Sequence, residues 1–251
     1  MKILGIDPAW TPKNPSGFAL IEQIGDEWIC RDIAPSFDSF CSSKMVSEKF
    51  KEKICGSPFD LEDILGKCGQ VNCIVVDMPI SPEEFLGRRE ADDAITKEFG
   101  NAWCATHTPT AAISKFGVDF VLKAKECGYI FNTNLIETYP HPAILSLIPD
   151  LEKRLPYKVE KRNRYWPKEK PEERRKKLYK NLQILRTALS SHITLPKDYN
   201  LSIDAPFTLL KSFEDTLDAL VCAWVGIKFM NKQCRAFGDK LSAIWIPKKE
   251  Y

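Results

Sequence analysis

Five carboxylates stand beside apolar stretches, where acids are scarce. Asp7 ends "ILGID", Asp77 ends "CIVVD" and Glu137 ends "NLIE", while Asp215 and Asp218 lie three residues apart in "EDTLDALVCA". On a helix the last two share one face, with Cβ atoms about 5–6 Å apart. Unpaired carboxylates near a core are costly. They gather either to share protons and shift their pKa values or to surround a cation. Oxygen-only ligand sets select hard ions, Mg²⁺ or Mn²⁺. Single members have simpler explanations. Asp7 precedes Pro8 and Asp77 stands two before Pro79, so each fits a turn. Asp215, read as opening its helix, suits the helix dipole. The recurrence favours a metal site built from among Asp7, Asp77, Glu137, Asp215 and Asp218.

The rest of the chain narrows the field. Its 251 residues suffice for one large domain, with 44% hydrophobic and 28% charged residues as in an ordinary globular protein. No apolar run approaches the roughly 18 residues needed to span a membrane, and "MKILGIDPAW" does not read as a signal peptide. Nine cysteines without a Cys-x-x-Cys pair suggest free thiols in a reducing cytoplasm, not a disulfide framework or zinc. Net charge is +2, but Lys153 to Arg186 holds fourteen Lys/Arg against four Glu, a local +10 that leaves −8 elsewhere. That segment suits an anionic partner, or is a solvated charged helix.

The elements that must position the acids can be read in order. "KILGIDPAW", "GFALIEQI" and "EWICRDIAP" predict three strands of an antiparallel meander, the last two joined by "GD". "SEKFKEKICG" and "SPFDLEDILGKCG" predict helical turns ended by glycine. "NCIVVDMPI" predicts a buried parallel strand. The capping-box pattern "SPEE" at Ser81 to Glu84 predicts a helix start. A helix after "THTPT", a short strand "NLIETYPHP", a helix "PEERRKKLYKNLQILRTAL", an apolar helix "EDTLDALVCAWVGIKFM" and a last strand "AIWIP" complete the chain. This order predicts an α/β fold with a mixed sheet, three antiparallel strands followed by parallel ones, flanked by helices. First and fourth strands would then lie adjacent and parallel, bringing Asp7 beside Asp77.

These residues resemble known families. "ILGIDPAW…GFALI" and "DTLDALVCA" resemble the first strand and final helix of RuvC-like and other RNase H-fold nucleases. More closely, "GIDPAW", "VVDMPI", "GRREADDAI", "ETYPHPAIL", "YWP", "DALVCAW" and "AIWIP" together resemble domain-of-unknown-function family 429, held to be RNase H-like nucleases. The resemblance implies a single RNase H-like domain over residues 1–251 with a basic helical insertion at 150–190. It also implies a two-metal phosphodiesterase site, with Asp7 bridging both ions, Asp77 on the fourth strand and Asp218 with Asp215 on the helix. RuvC-like enzymes carry Glu on the fourth strand where this chain has Asp77. Glu137 is the candidate for the missing ligand or for proton transfer.

Weaker signals surround that set. In "GRREADD", Arg88 and Arg89 suit bidentate phosphate binding or a salt bridge with Asp92. His107 and His141 fit proton transfer or hydrogen-bonded loop positions. In the basic segment, Lys158, Arg162, Arg164 and Trp166 interleave cation and ring as a nucleic-acid strand requires, as do Tyr157 and Tyr165. The expected function is a metal-dependent nuclease acting on DNA or RNA, away from membranes. A non-catalytic binding module on the same fold is the alternative. An actin-like ATPase is disfavoured because the loop "PAWTPKNPSG" is poor in the glycines that cradle phosphate. No Gly-x-Ser-x-Gly elbow supports a serine hydrolase.

Overall fold

The computed structural model describes residues 1–9, 13–51, 54–58 and 60–249, so Trp10 of "GIDPAW" lies outside the described residues. The strands are β1 Lys2–Asp7, β2 Gly17–Ile24, β3 Glu27–Ala34, β4 Cys73–Val76, β5 Leu135–Glu137, β6 Cys234–Gly238 and β7 Ala243–Pro247. Three short helices, α1 Phe37–Cys41, α2 Val46–Lys49 and α3 Leu61–Cys68, precede β4. Then come α4 Glu90–Phe99, α5 Ala111–Glu126, α6 Pro140–Leu147, α7 Arg162–Tyr165, α8 Pro171–Ser190 and α9 Phe207–Met230. The strands form one mixed sheet in the order β3-β2-β1-β4-β5-β7-β6. It is an α/β architecture consistent with the RNase H-like fold. As expected, β1 and β4 are adjacent and parallel.

Alternation along the strands sends neighbouring side chains to opposite faces. Ile3, Cys73, Val75 and Ile136 pack with α6, α8 and α9. Leu4, Ile6, Ile74, Val76 and Leu135 pack with α1, α3 and α5. Asp7 continues the parity of Ile3 and Gly5, and Asp77 that of Cys73 and Val75, so both belong to the α9 face. Glu137 has the parity of Leu135 and belongs to the other. The basic segment is a built part of the fold, since Leu178, Leu182, Leu185 and Leu189 bury one side of α8 in the α9-face core.

Close approach of α9 to the sheet depends on missing side chains. A Cβ on Gly5 would sit 2.0 Å from the Ala219 carbonyl oxygen, and one on Gly17 would sit 2.2 Å from that of Asp215. Backbone cannot yield there as a flexible side chain would. Gly5→Ala is expected to cost on the order of 3 kcal/mol, lowering Tm by about 6–12 °C in a thermal melt. An unchanged Tm would contradict this packing.

Three local expectations are corrected. No helix starts at Ser81; residues 81–89 are irregular and the helix begins at Glu90. Gly87 at φ 79° interrupts any helix there, and the Ile80 backbone is tied to Glu137 and Arg89. The capping contact belongs instead to Arg89, whose N–H donates to Asp92 (3.0 Å). Second, α9 begins at Phe207, so Asp215 lies in its interior, beyond the first turn where the dipole acts. Third, only one turn, α2, forms near "SEKFKEKICG", while residues 52 and 53 lie outside the described ones. Strand β6, paired antiparallel with β7, was not anticipated.

Candidate metal centre

Register brings the acids together. Asp7 pairs with Gly17 across β1 and β2, and the bare Gly17 lets the Asp215 turn of α9 rest on that pair. Beyond β4, the Asp77 N–H donates to the Ile6 carbonyl (3.0 Å), which fixes Asp77 beside Asp7. Asp7, Asp215 and Asp218 each offer an oxygen, all within 4.8 Å of one another, the one such grouping among the described residues. Asp77 adjoins it closely enough for its charge to act on Asp7.

The partners of these acids differ. Among the described residues nothing donates a hydrogen bond to the carboxylates of Asp7 or Asp77, and both stay partly accessible. Asp218 is fully buried, each of its oxygens accepting one hydrogen bond, from the Tyr157 hydroxyl (2.5 Å) and from the Lys158 ammonium. Asp215 pairs with Lys211 one turn earlier. Glu214, absent from the expected set, is buried between them. It accepts from the Val159 N–H (2.5 Å) and lies 3.4 Å from both Lys158 and Lys211.

Burial lifts the Asp7 carboxyl well above the usual range against the pull of Lys158, and the charges of Asp218 and Asp77 add to the rise. Burial likewise raises Asp77 to about 7, opposed by Lys158 and reinforced by Asp218. Asp215 is raised by burial despite Lys211. Burial works against the Lys158 ammonium, but Asp218 and then Glu214 hold it well above its usual value.

These shifts have a signed consequence. With a raised native value, each carboxyl favours the fold while protonated, fully so below about pH 4. For Asp77 that contribution is lost as pH rises through about 7. The metal-free protein is expected to lose Tm between about pH 5 and pH 8, less so in Asp77→Asn or with excess Mg²⁺. Thermal melts across pH in EDTA and in Mg²⁺ check this, and a Tm that climbs with pH in EDTA would refute it.

The donor chemistry fits a hard cation. The ligands are all oxygen, and two unpartnered carboxylates stand open beside two held ones. Asp7, Asp215 and Asp218 would hold the ion, with Asp77 adjoining.

The other expected residues lie elsewhere. Glu137 does not join the cluster. Both its oxygens are taken by Arg89 at 2.6 Å, and one also accepts from the Ile80 N–H (3.0 Å). The Arg89 guanidinium also binds both oxygens of Asp92 and the Ile80 carbonyl, which leaves no N–H for phosphate. Arg88 is engaged by Asp93, Thr96 and the Thr106 loop. Lys158 reaches the carboxylates, not the surface. Arg162 lies over the Phe207 ring (4.4 Å), and Arg164 is exposed. Trp166 packs half-buried on the core, facing Tyr165 and Lys177. His107 borders a cavity of about 110 Å³ that Asp77 and Tyr139 also line. His141 is buried, its ring 5.5 Å from Tyr157. Lys211 had a signal in its four-residue spacing to Asp215.

A family model described as "Protein of unknown function (DUF429)" matches residues 5–242. The chain belongs to this family. No curated protein and no solved structure matches it. The match spans the DUF429 chain from the first strand through α9 and β6, and so includes all four clustered aspartates. Among the described residues of this DUF429 protein, no helix is long and apolar enough to cross a membrane.

Proposed function

We propose that the protein is a metal-dependent nuclease that hydrolyses phosphodiester bonds at the Asp7–Asp77–Asp215–Asp218 cluster. The observation that carries this reading is the convergence of three oxygen donors within 4.8 Å at the end of β1, next to a strongly basic segment. Bound there, Mg²⁺ or Mn²⁺ would supply Lewis acidity toward a phosphoryl oxygen and an acidified water.

The chain's own groups prepare that chemistry. Lys158 and Lys211 offset part of the carboxylate charge, which moderates repulsion of an incoming polyanion. Burial, and then Asp218, hold the Tyr157 hydroxyl well above its usual value, so it stays protonated and fixes the Asp218 carboxylate. Asp215 opens onto a groove of about 760 Å³ lined by Phe50, Lys51, Arg162, Phe207 and Lys211. Cations and rings so interleaved suit a single strand, through phosphate contacts and base stacking.

A binding module without catalysis has one observation in its favour. Two ammonium groups already partner Asp215 and Asp218, as internal counterions would. Labelled single-stranded, duplex and branched DNA and RNA, incubated with Mg²⁺, Mn²⁺ or EDTA, separate the readings. The nuclease cuts at least one substrate, and only with metal. No cleavage in any lane, or cleavage that survives EDTA, contradicts it.

A further inference from the structure

A second set of groups with incomplete bonding lies beside the carboxylates. The Arg154 backbone is anchored, its N–H donating to the Ala102 carbonyl (2.8 Å). Its guanidinium is not: Nε and Nη2 are sealed from solvent and have no hydrogen-bond partner. The other buried cations described here are paired, Arg89 with Glu137 and Asp92, Lys49 with Asp32, Lys158 with Asp218 and Lys211 with Asp215. Arg154 is half-buried, and leaving two of its N–H donors sealed without an acceptor is costly.

Its surroundings are cationic. The charges of Arg154, Lys158 and Lys161 all bear on His141, whose buried Nδ1 also lacks a partner. Burial, then Arg154, Lys158 and Arg164, bring Lys161 down to about 8, as happens where positive charges meet without enough negative ones. The corner adjoins the candidate centre, since Tyr157 and Lys158, three and four residues after Arg154, reach the Asp218 carboxylate. Nε–H and Nη2–H form one edge of the guanidinium, spaced to grip two oxygens of a tetrahedral oxyanion.

We propose that Arg154, with Lys161 beside it, is the binding site for a phosphoryl group of the substrate, next to the carboxylates at Asp77. The phosphoryl oxyanion supplies the missing partner of the guanidinium and positions the neighbouring bond at the cluster. Naming nucleic acid as its carrier rests on the nuclease reading; the anion site does not.

The test titrates inorganic phosphate into the full chain in EDTA at constant ionic strength, by calorimetry. Wild type is expected to bind one phosphate. Arg154→Met weakens binding at least about tenfold, and Arg154→Lys, which keeps the charge without the fork, falls between. Arg154→Met also melts no lower than wild type, because it removes two sealed donors that have no acceptor. A Lys176→Met/Lys177→Met variant, altered only on α8, binds as wild type does. Absence of phosphate binding, equal binding by Arg154→Met, or a fall in its Tm of several degrees would each overturn the proposal. Oligonucleotides with 5′-phosphate, 3′-phosphate or hydroxyl ends then name the source. A defect of Arg154→Met confined to phosphorylated ends assigns a terminal phosphate, and a uniform rise in KM assigns an internal phosphodiester. If no oligonucleotide is cut yet phosphate binding depends on Arg154, the nuclease reading fails and the anion site stands.

Discussion

Asp7→Asn is expected to lower metal-dependent cleavage on the order of 10²–10³-fold or more while leaving the fold intact. Asn keeps the size of the side chain but loses the negative oxygen that the cluster requires. The carboxylate of Asp7 accepts no hydrogen bond from the described residues, so its neutral counterpart leaves no donor unpaired. Burial and the charges of Asp218 and Asp77 already disfavour its ionised form, so the variant should melt at or above wild type near pH 8 without metal. Loss of activity joined to a retained or raised Tm marks a ligand. Activity and stability falling together would mark Asp7 as structural.

Arg89→Met is expected to cost about 3–5 kcal/mol in chemical denaturation, the usual penalty for stranding buried charges. It would leave the carboxylates of Glu137 and Asp92 without a counterion, both almost fully buried. These contacts join β5 to the segment after β4 and to the start of α4, so their loss unties the sheet from α4. Glu137→Gln is the informative companion. It weakens the same ion pair, yet metal affinity should stay near wild type because Glu137 lies on the other face. A cost below about 1 kcal/mol for Arg89→Met would contradict the buried-pair account. So would loss of metal binding in Glu137→Gln.

Much of this was legible in the sequence. The meander, the parallel fourth strand and the apolar last helix follow from periodicity and turn residues, and from them the meeting of Asp7 with Asp77. Spacing placed Asp215 and Asp218 on one helical face. What escaped was long-range pairing. Parity along "NLIE" sets Glu137 with Leu135, but which face α9 covers emerges only when Gly5 and Gly17 are seen beneath it. Partnership of Lys158 with Asp218 spans 60 residues, beyond any local spacing rule. Glu214 stood at the head of the expected helix "EDTLDALVCAWVGIKFM" and was not singled out, whereas α9 begins at Phe207 and places it inside. Charge counting identified a basic segment, yet not that Tyr157 and Lys158 within it turn inward to the acids.

Calorimetric titration of Mn²⁺ into the metal-free protein near neutral pH tests the central claim most directly, since it needs no substrate. The carboxylate-cluster account predicts saturable binding to wild type that is lost in Asp7→Asn, kept in Glu137→Gln and accompanied by a rise in Tm only where the ion binds. No saturable binding to folded wild type would contradict it, and would leave Lys158 and Lys211 as counterions of the aspartates.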